Sequence, residues 1–333
     1  MRFVKNIKNN LIKILVLLFL VAMVIYPHAS YDGACSGLLL WFHQVLPTLL
    51  PFIIVSNFIV RLNITTQLCR VFFPVVGRLF RISQNACYPI ILGFFSGIPM
   101  GAKSTADLIS AGKISPEEGR FLFTMCNNAS PMFIIGYVAI TQLKLPQIKY
   151  ALFVIIYGSV IISALICRAF DNRSGKAGNK LSISSIPFNR SISLPSPKET
   201  RKKPEKLSFD IVDSSIMDGF EVITKIGGYI ILFSILAQII KEIGPDISYL
   251  KSFIMGILEF TTGISQICAS GMNQDTKIVL VAAITAFGGL SGMAQTKSVI
   301  GDTRLSMGYY CIVKLLGAVI ACILAFCYVH IFM

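Results

Sequence analysis

Two stretches of this sequence place glycine, serine and lysine in one order. Gly93-Phe-Phe-Ser96-Gly97 is followed after five residues by Lys103-Ser104, and Gly288-Gly-Leu-Ser291-Gly292 after four by Lys297-Ser298. Asp107 and Asp302 come at similar offsets behind them. Glycine lets a chain leave the helix, and Pro99 removes a backbone donor and stops a helix before it. A helix that restarts near Gly101 points unpaired N–H groups and the positive end of its dipole at the break, which attracts anions. Lysine in that first turn opposes the dipole, so an anion accounts for it better than helix stability does. Ser96, Gly97, Lys103 and Ser104 on one side and Ser291, Gly292, Lys297 and Ser298 on the other form two half-sites for a small organic anion, a dicarboxylate for example. The competing reading has both lysines reaching out to lipid headgroups.

Other polar residues stand in or beside apolar runs. Asn127, Asn128 and Ser130 form C-N-N-A-S-P before an apolar run. They read equally as helix caps or as substrate ligands. Glu259 is a lone acid in M-G-I-L-E-F-T-T-G. An intramembrane acid is costly to keep and is usually functional, so it is expected to serve coupling or charge pairing; otherwise it is an interfacial surface acid. Gly97 to Ser104 looks like a nucleotide phosphate loop but has G-A-K-S where that loop needs G-K-S/T, and no strand precedes it. Gly289-Leu-Ser291-Gly292 matches the G-x-S-G of intramembrane serine proteases, but the only downstream histidine, His330, is three residues from the end. No enzyme activity is expected.

The elements that hold these residues must lie in a membrane. Of 333 residues, 54% are hydrophobic and only 14% charged, against about a quarter in soluble domains. The charges cluster and leave long apolar runs, which predicts an all-α, polytopic helical membrane protein. Arg2, Lys5, Lys8 and Lys13 precede the apolar run Ile14 to Ile25. With a poor cleavage site at Pro27 to Ser30, residues 1–30 are expected to be an uncleaved first helix with its N-terminus in the cytoplasm. Residues 169–206 are a linker rich in Ser, Pro and Asn. From Arg168 to Lys206 there are ten Lys/Arg against three acids, half of the chain's net +14. A solvated cytoplasmic loop follows. Crossings at 8–27, 37–60, 129–143 and 150–168 then close the count.

Residues 61–85 carry Arg61, Arg70, Arg78 and Arg81 among apolar residues and read as a cytoplasmic-side amphipathic segment. The run 86–95 is too short to span, so 86–125 is expected to be a re-entrant hairpin. Residues 31–168 and 207–333 form two membrane repeats. Besides the glycine motifs, Trp41 to Phe52 has a weaker counterpart in Gly219 to Ile230. The first runs outside to inside and the second inside to outside, so the repeats are inverted, each with a re-entrant hairpin, as in transporters.

The nine cysteines are scattered without C-x-x-C, and the three histidines lie far apart. No metal site, disulfide framework or cofactor is expected. Half of the net positive charge lies in the linker, and that location argues against nucleic acid. The expected partners are a small anionic substrate and the lipid bilayer, with a homo-oligomer left open.

W-F-H-Q-V-L-P-T-L-L-P-F, G-F-F-S-G-I-P-M-G-A-K and E-E-G-R-F-L-F-T-M-C-N-N-A-S-P-M-F-I-I-G-Y-V together resemble the sporulation integral membrane proteins of endospore-forming bacteria (YlbJ type, also called stage V sporulation protein V). The resemblance runs from about residue 30 to the end and leaves the basic linker unmatched. It implies a nucleoside recognition, or gate, domain shared with spore maturation proteins and concentrative nucleoside transporters. It also implies a place in the mother-cell or outer forespore membrane and movement of dipicolinic acid toward the forespore. Dipicolinate is a planar pyridine with two carboxylates. That suits paired lysines, helix N-termini and rings such as Phe94 or Phe95. A nucleoside-like substrate and a non-transporting scaffold for cortex or coat assembly are the alternatives.

Overall fold

A computed structural model describes residues 2–62, 64–173, 209–243 and 248–333. The basic linker expected at 169–206 lies almost wholly outside the described residues. Every regular element described is a helix. Five of the described helical segments are long and apolar enough to cross a membrane: Pro27–Ile59, Pro146–Asp171, Phe209–Ile243, Gln274–Val299 and Met307–Phe332. The first expected crossing belongs to α1 (Arg2–Ile25), whose apolar part is Lys13–Ile25, shorter than these five.

The first half continues with α2 (Pro27–Leu40), a π-helical turn at Trp41–Val45, and α3 (Leu46–Arg61). Then comes α4 (Ile64–Phe80), the expected amphipathic segment. It leaves Val71, Phe72, Val75 and Leu79 exposed beside Arg70. α5 (Cys87–Ser96) and α6 (Met100–Ser110) follow, then α7 (Pro116–Met125), a π-helical segment at Phe133–Gln142, and α8 (Lys149–Arg173). The π segment is shorter than the crossing expected at 129–143. The second half holds α9 (Phe209–Ile243), α10 (Ser248–Leu258), α11 (Phe260–Ala269), α12 (Gln274–Phe287), α13 (Gly289–Val299) and α14 (Met307–Phe332).

Long helices of the two halves pack antiparallel. Trp41 Nε1 donates to the Ile223 carbonyl at 2.9 Å, Asn57 donates to the Ser215 carbonyl at 3.1 Å, and Gly33 lies against Ile235. As the number rises in α2–α3 it falls in α9. α8 and α14 do likewise, with Gly317 against Ser163, and with Tyr309 and Asp171 both meeting Arg120. A large apolar core joins these layers, from Val45 and Ile53 through Ile134, Ile223 and Ile264 to Val281 and Ala321.

The short helices form hairpins. α5 turns back into α6, with Gly93 facing Gly101, and α10 into α11, with Gly263 against Gly256. The two glycine motifs therefore are not equivalent in space. In the first, the chain breaks after Ser96, inside a hairpin. In the second, it breaks before Ser291, between α12 and α13 of one apolar segment. The second-half hairpin lies upstream, around Glu259.

Candidate functional site

The site is where helices stop. Among the described residues, four breaks in apolar helical runs meet: Gly97-Ile98-Pro99, Cys126 to Ser130, Glu259, and Gly288. Each has a local cause. Gly97 takes φ 71° and ψ −157°, a conformation that only glycine adopts freely, and a Cβ there would stand 3.0 Å from the Ser130 amide nitrogen. Glu259 is the N-cap of α11 and accepts from the Thr262 amide at 2.6 Å. Gly288 is left-handed at φ 80° and closes α12 while opening α13. Pro131 follows the Asn-Asn break as ordinary helix-start chemistry.

The breaks touch one another across the two halves. The Ile98 side chain lies against Gly288 and Gly292. The Phe133 and Phe260 rings sit 5.3 Å apart, and the Tyr137 hydroxyl donates to the Thr261 carbonyl at 2.9 Å. Freed backbone groups inside a membrane persist only where protein or water satisfies them, and side chains do this work here. Asn127 Oδ1 accepts from the Ala102 amide in the first turn of α6 at 3.4 Å. Its amide nitrogen donates to Thr296 Oγ1 at 2.7 Å and to the Tyr310 hydroxyl at 2.8 Å. Tyr310 in turn donates to the Asn127 carbonyl at 3.2 Å.

One helical turn beyond Tyr310 comes Lys314. Its ammonium donates to Asn128 Oδ1 at 2.7 Å and to the Ala286 carbonyl at 3.3 Å, and lies 5.7 Å from the Tyr310 ring centre. Among the described residues no carboxylate is within ion-pair reach of it. An ammonium has three donors, and one is left without an acceptor among the described residues. Two further features face the same region. Among the described residues, the Ser96 hydroxyl is buried without a hydrogen-bond partner, and the N-terminus of α13 has no side-chain cap. Ser96, Asn127, Asn128, Glu259 and Lys314 are each at most 3% exposed, so the site is closed. Toward the ends of α6 and α13 a cleft of about 440 Å³ opens, with Asp107 and Asp302 both in its lining. The cluster of Ala102, Phe123, Ile300 and Tyr310 packs α6 and α7 against the end of α13 and the start of α14.

The structure brings together Ser96, Gly97, Asn127, Asn128, Ser291, Gly292 and Glu259. It leaves the two lysines of the glycine motifs outside. Lys103 is half-exposed and paired with Asp107 one turn on at 3.0 Å. Lys297 is exposed in the last turn of α13, well past the break. Ser104 is buried but bonds back to the carbonyls of Met100 and Gly101, and the exposed Ser298 bonds back to that of Gln295. Phe94 and Phe95 are more than a third exposed. Glu259 meets no cation among the described residues; its acceptors are filled by Thr261, Thr262 and Ser291. Ser291 thus donates to a carboxylate, and all three histidines are exposed. Lys314, Tyr310, Thr261 and Thr296 are absent from the sequence reading. Lys314 carried a usable signal: a lone ammonium in C-I-V-K-L-L-G, as telling as the lone acid at 259.

No family model matches the chain, and no solved structure matches it. The expected kinship to nucleoside gate domains therefore gains nothing from these comparisons. Among curated proteins, the sporulation integral membrane protein YlbJ of Bacillus subtilis (strain 168) is 26% identical over 336 aligned positions, covering 95% of this chain and 81% of that protein. The likeness covers nearly the whole chain, so this protein is similar in both of its halves to a sporulation integral membrane protein.

Proposed function

We propose that this protein acts in sporulation as a membrane transporter of a small organic dicarboxylate, dipicolinate, moving it from mother cell toward forespore across the mother-cell or outer forespore membrane. The carrying observation is the buried ammonium of Lys314, which stands where four helix breaks meet and, among the described residues, has no carboxylate partner and one donor unused. Burying an unpaired cation is costly, and a protein keeps one where an anion arrives to neutralise it. The Ser96 hydroxyl and the amide end of α13 are further donors for carboxylate oxygens. Breaks in apolar helices, grouped at the junction of two halves whose long helices run antiparallel, match the plan of inverted-repeat transporters. The sporulation role follows the name of the YlbJ relative. A neutral nucleoside makes no use of an unpaired ammonium, which disfavours that alternative.

The test is uptake of labelled dipicolinate by vesicles containing the purified protein, with empty vesicles as control. Saturable uptake, competed by unlabelled dipicolinate and not by uridine, is the expected result. Absence of uptake under any imposed gradient would favour a non-transporting scaffold.

A further inference from the structure

A carboxylate of the protein already stands beside the place an incoming anion would take. Glu259 is fully buried and joins the tip of the α10–α11 hairpin to the first turn of α13. One carboxylate oxygen accepts from the Ser291 hydroxyl at 3.1 Å. The other accepts from the Thr262 amide at 2.6 Å and from the Thr261 hydroxyl. All three donors are neutral, and no ammonium or guanidinium among the described residues is in ion-pair reach.

Its wider surroundings are neutral too. From the π segment comes the Tyr137 hydroxyl, bonded to the Thr261 carbonyl. From α9 comes Ser234, bonded to Thr262 at 2.8 Å. On α11 itself the next titratable group is Cys268. The charged side chains described on the other packed elements are Asp32 on α2, Asp210, Asp213, Asp218, the Glu221–Lys225 pair, Lys241 and Glu242 on α9, Asp275 and Lys277 on α12, and Lys297 on α13. All of them reach solvent, and none bonds Glu259.

We infer that the protein is a proton–anion symporter in which Glu259 takes up one proton with each anion; this rests on the anion-transport reading above. Ser291 lies in the first turn of α13, so an anion drawn to that uncapped helix end shares the neighbourhood of the Glu259 carboxylate. Two carboxylates in one dry site cannot both stay ionised cheaply, and one of them takes a proton. The substrate has Lys314 to hold its charge, while Glu259 has only neutral donors, so the proton goes to Glu259. The charge count agrees. Counted with Lys314 protonated and Glu259 ionised, the empty site carries no net charge. A dianion alone would bring it to two negative charges, and a dianion with one proton brings it to one. The proton comes from solvent on the side the anion enters, bonds to a Glu259 oxygen, and is released to solvent on the other side. Ser291 and Thr261 can turn from donor to acceptor as it arrives, because a hydroxyl serves as either. By linkage, a proton that is taken up with the anion also raises affinity for the anion.

The experiment has two arms. In weakly buffered detergent solution near neutral pH, adding dipicolinate to the full-length protein is expected to remove about one proton per bound anion, and Glu259→Gln to remove none. In vesicles, a pH gradient acid on the entry side is expected to concentrate labelled dipicolinate in the wild type. Glu259→Gln is expected to lose that accumulation. The amide keeps an acceptor for Thr262 and so preserves the cap. Wild type that exchanges the anion without proton uptake overturns the coupling and leaves transport standing, as does a Glu259→Gln chain that still accumulates against the gradient. Wild type with no exchange at all overturns both. The wild-type proton measurement decides the matter even where the variant does not fold.

Discussion

Lys314 is the residue on which the reading of the site turns. Its two bonds, to Asn128 Oδ1 and to the Ala286 carbonyl, tie α14 to the second break and to the end of α12. A hydrogen bond to a charged group contributes about 1.5–3 kcal/mol. Loss of the ammonium in Lys314→Gln is therefore expected to slow dipicolinate uptake by about 10- to 100-fold. The amide of glutamine can still donate to Asn128, so the fold is expected to survive. Lys103→Gln and Lys297→Gln should change uptake by less than about 3-fold, since an exposed ion pair contributes about 0.2–1 kcal/mol and Lys297 is exposed. Initial rates at matched protein content in vesicles check all three. A fast Lys314→Gln beside a dead Lys103→Gln would return the counter-charge to the glycine motif. The sequence did offer the right test for such residues, since an ionisable group inside an apolar run must be satisfied or functional. That logic found Glu259 and would have found Lys314. A lysine next to a glycine-rich string in a polar stretch is a weaker signal, because solvent can carry it.

At the scale of elements, the breaks matter more than the helices between them. A string such as G-F-F-S-G-I-P marks a place where a helix opens. It does not say whether the chain then turns back or continues, and the two glycine motifs differ in just this respect. The break at Gly97 was legible because glycine and proline both speak for it. Those at Asn127-Asn128 and at Glu259 contain neither, and there the chain opens because a polar side chain caps a neighbouring amide. Asn127 receives the Ala102 N–H and Glu259 the Thr262 N–H. Those residues were legible as oddities in apolar runs, but the pairing of Asn127 with α13 and α14 is long-range, and no local pattern records it. Gly97→Ala tests how tightly the first break is held. A non-glycine residue at that φ costs about 1–3 kcal/mol, and the new Cβ would press on the Ser130 amide at 3.0 Å. Its thermal midpoint in detergent is expected to fall by several degrees. Gly228→Ala in α9, where nothing lies within 4 Å of an added Cβ, should leave the midpoint unchanged or raise it slightly. Equal midpoints for the two variants would mean that the break is not a packed feature of the fold.

At the scale of the whole molecule, composition alone was enough to predict a helical membrane protein, and the count of long apolar helices agrees. The orientation of the halves rests on charge and on packing direction. Arg61 pairs with Asp218, Arg120 with Asp171, and Arg168 donates to the carbonyls of Phe80 and Arg81. These contacts tie the basic end of α3 to the first part of α9, and the basic ends of α4 and α8 to each other and to α7. Cytoplasmic ends carry the excess of Lys and Arg, so these basic ends are expected to lie on the cytoplasmic side. On that orientation α5 enters from that side and α6 returns, and Ala111 is expected on the cytoplasmic side. α9 leads away from it, α10 and α11 are expected to make their hairpin from the far side, and Gly271 is expected outside. α12 and α13 come back, so Asp302 is expected on the cytoplasmic side with Asp107, which lines the same cleft. Single cysteines at these positions, in a chain whose nine native cysteines are replaced, read the arrangement directly. Ala111, Asp302 and Gly271 are all exposed. In oriented cells, Ala111→Cys and Asp302→Cys are expected to be shielded from a membrane-impermeant maleimide until the membrane is opened, and Gly271→Cys to react at once. Labelling of all three from one side would mean that both hairpins enter from the same face, and the two halves would then not be inverted.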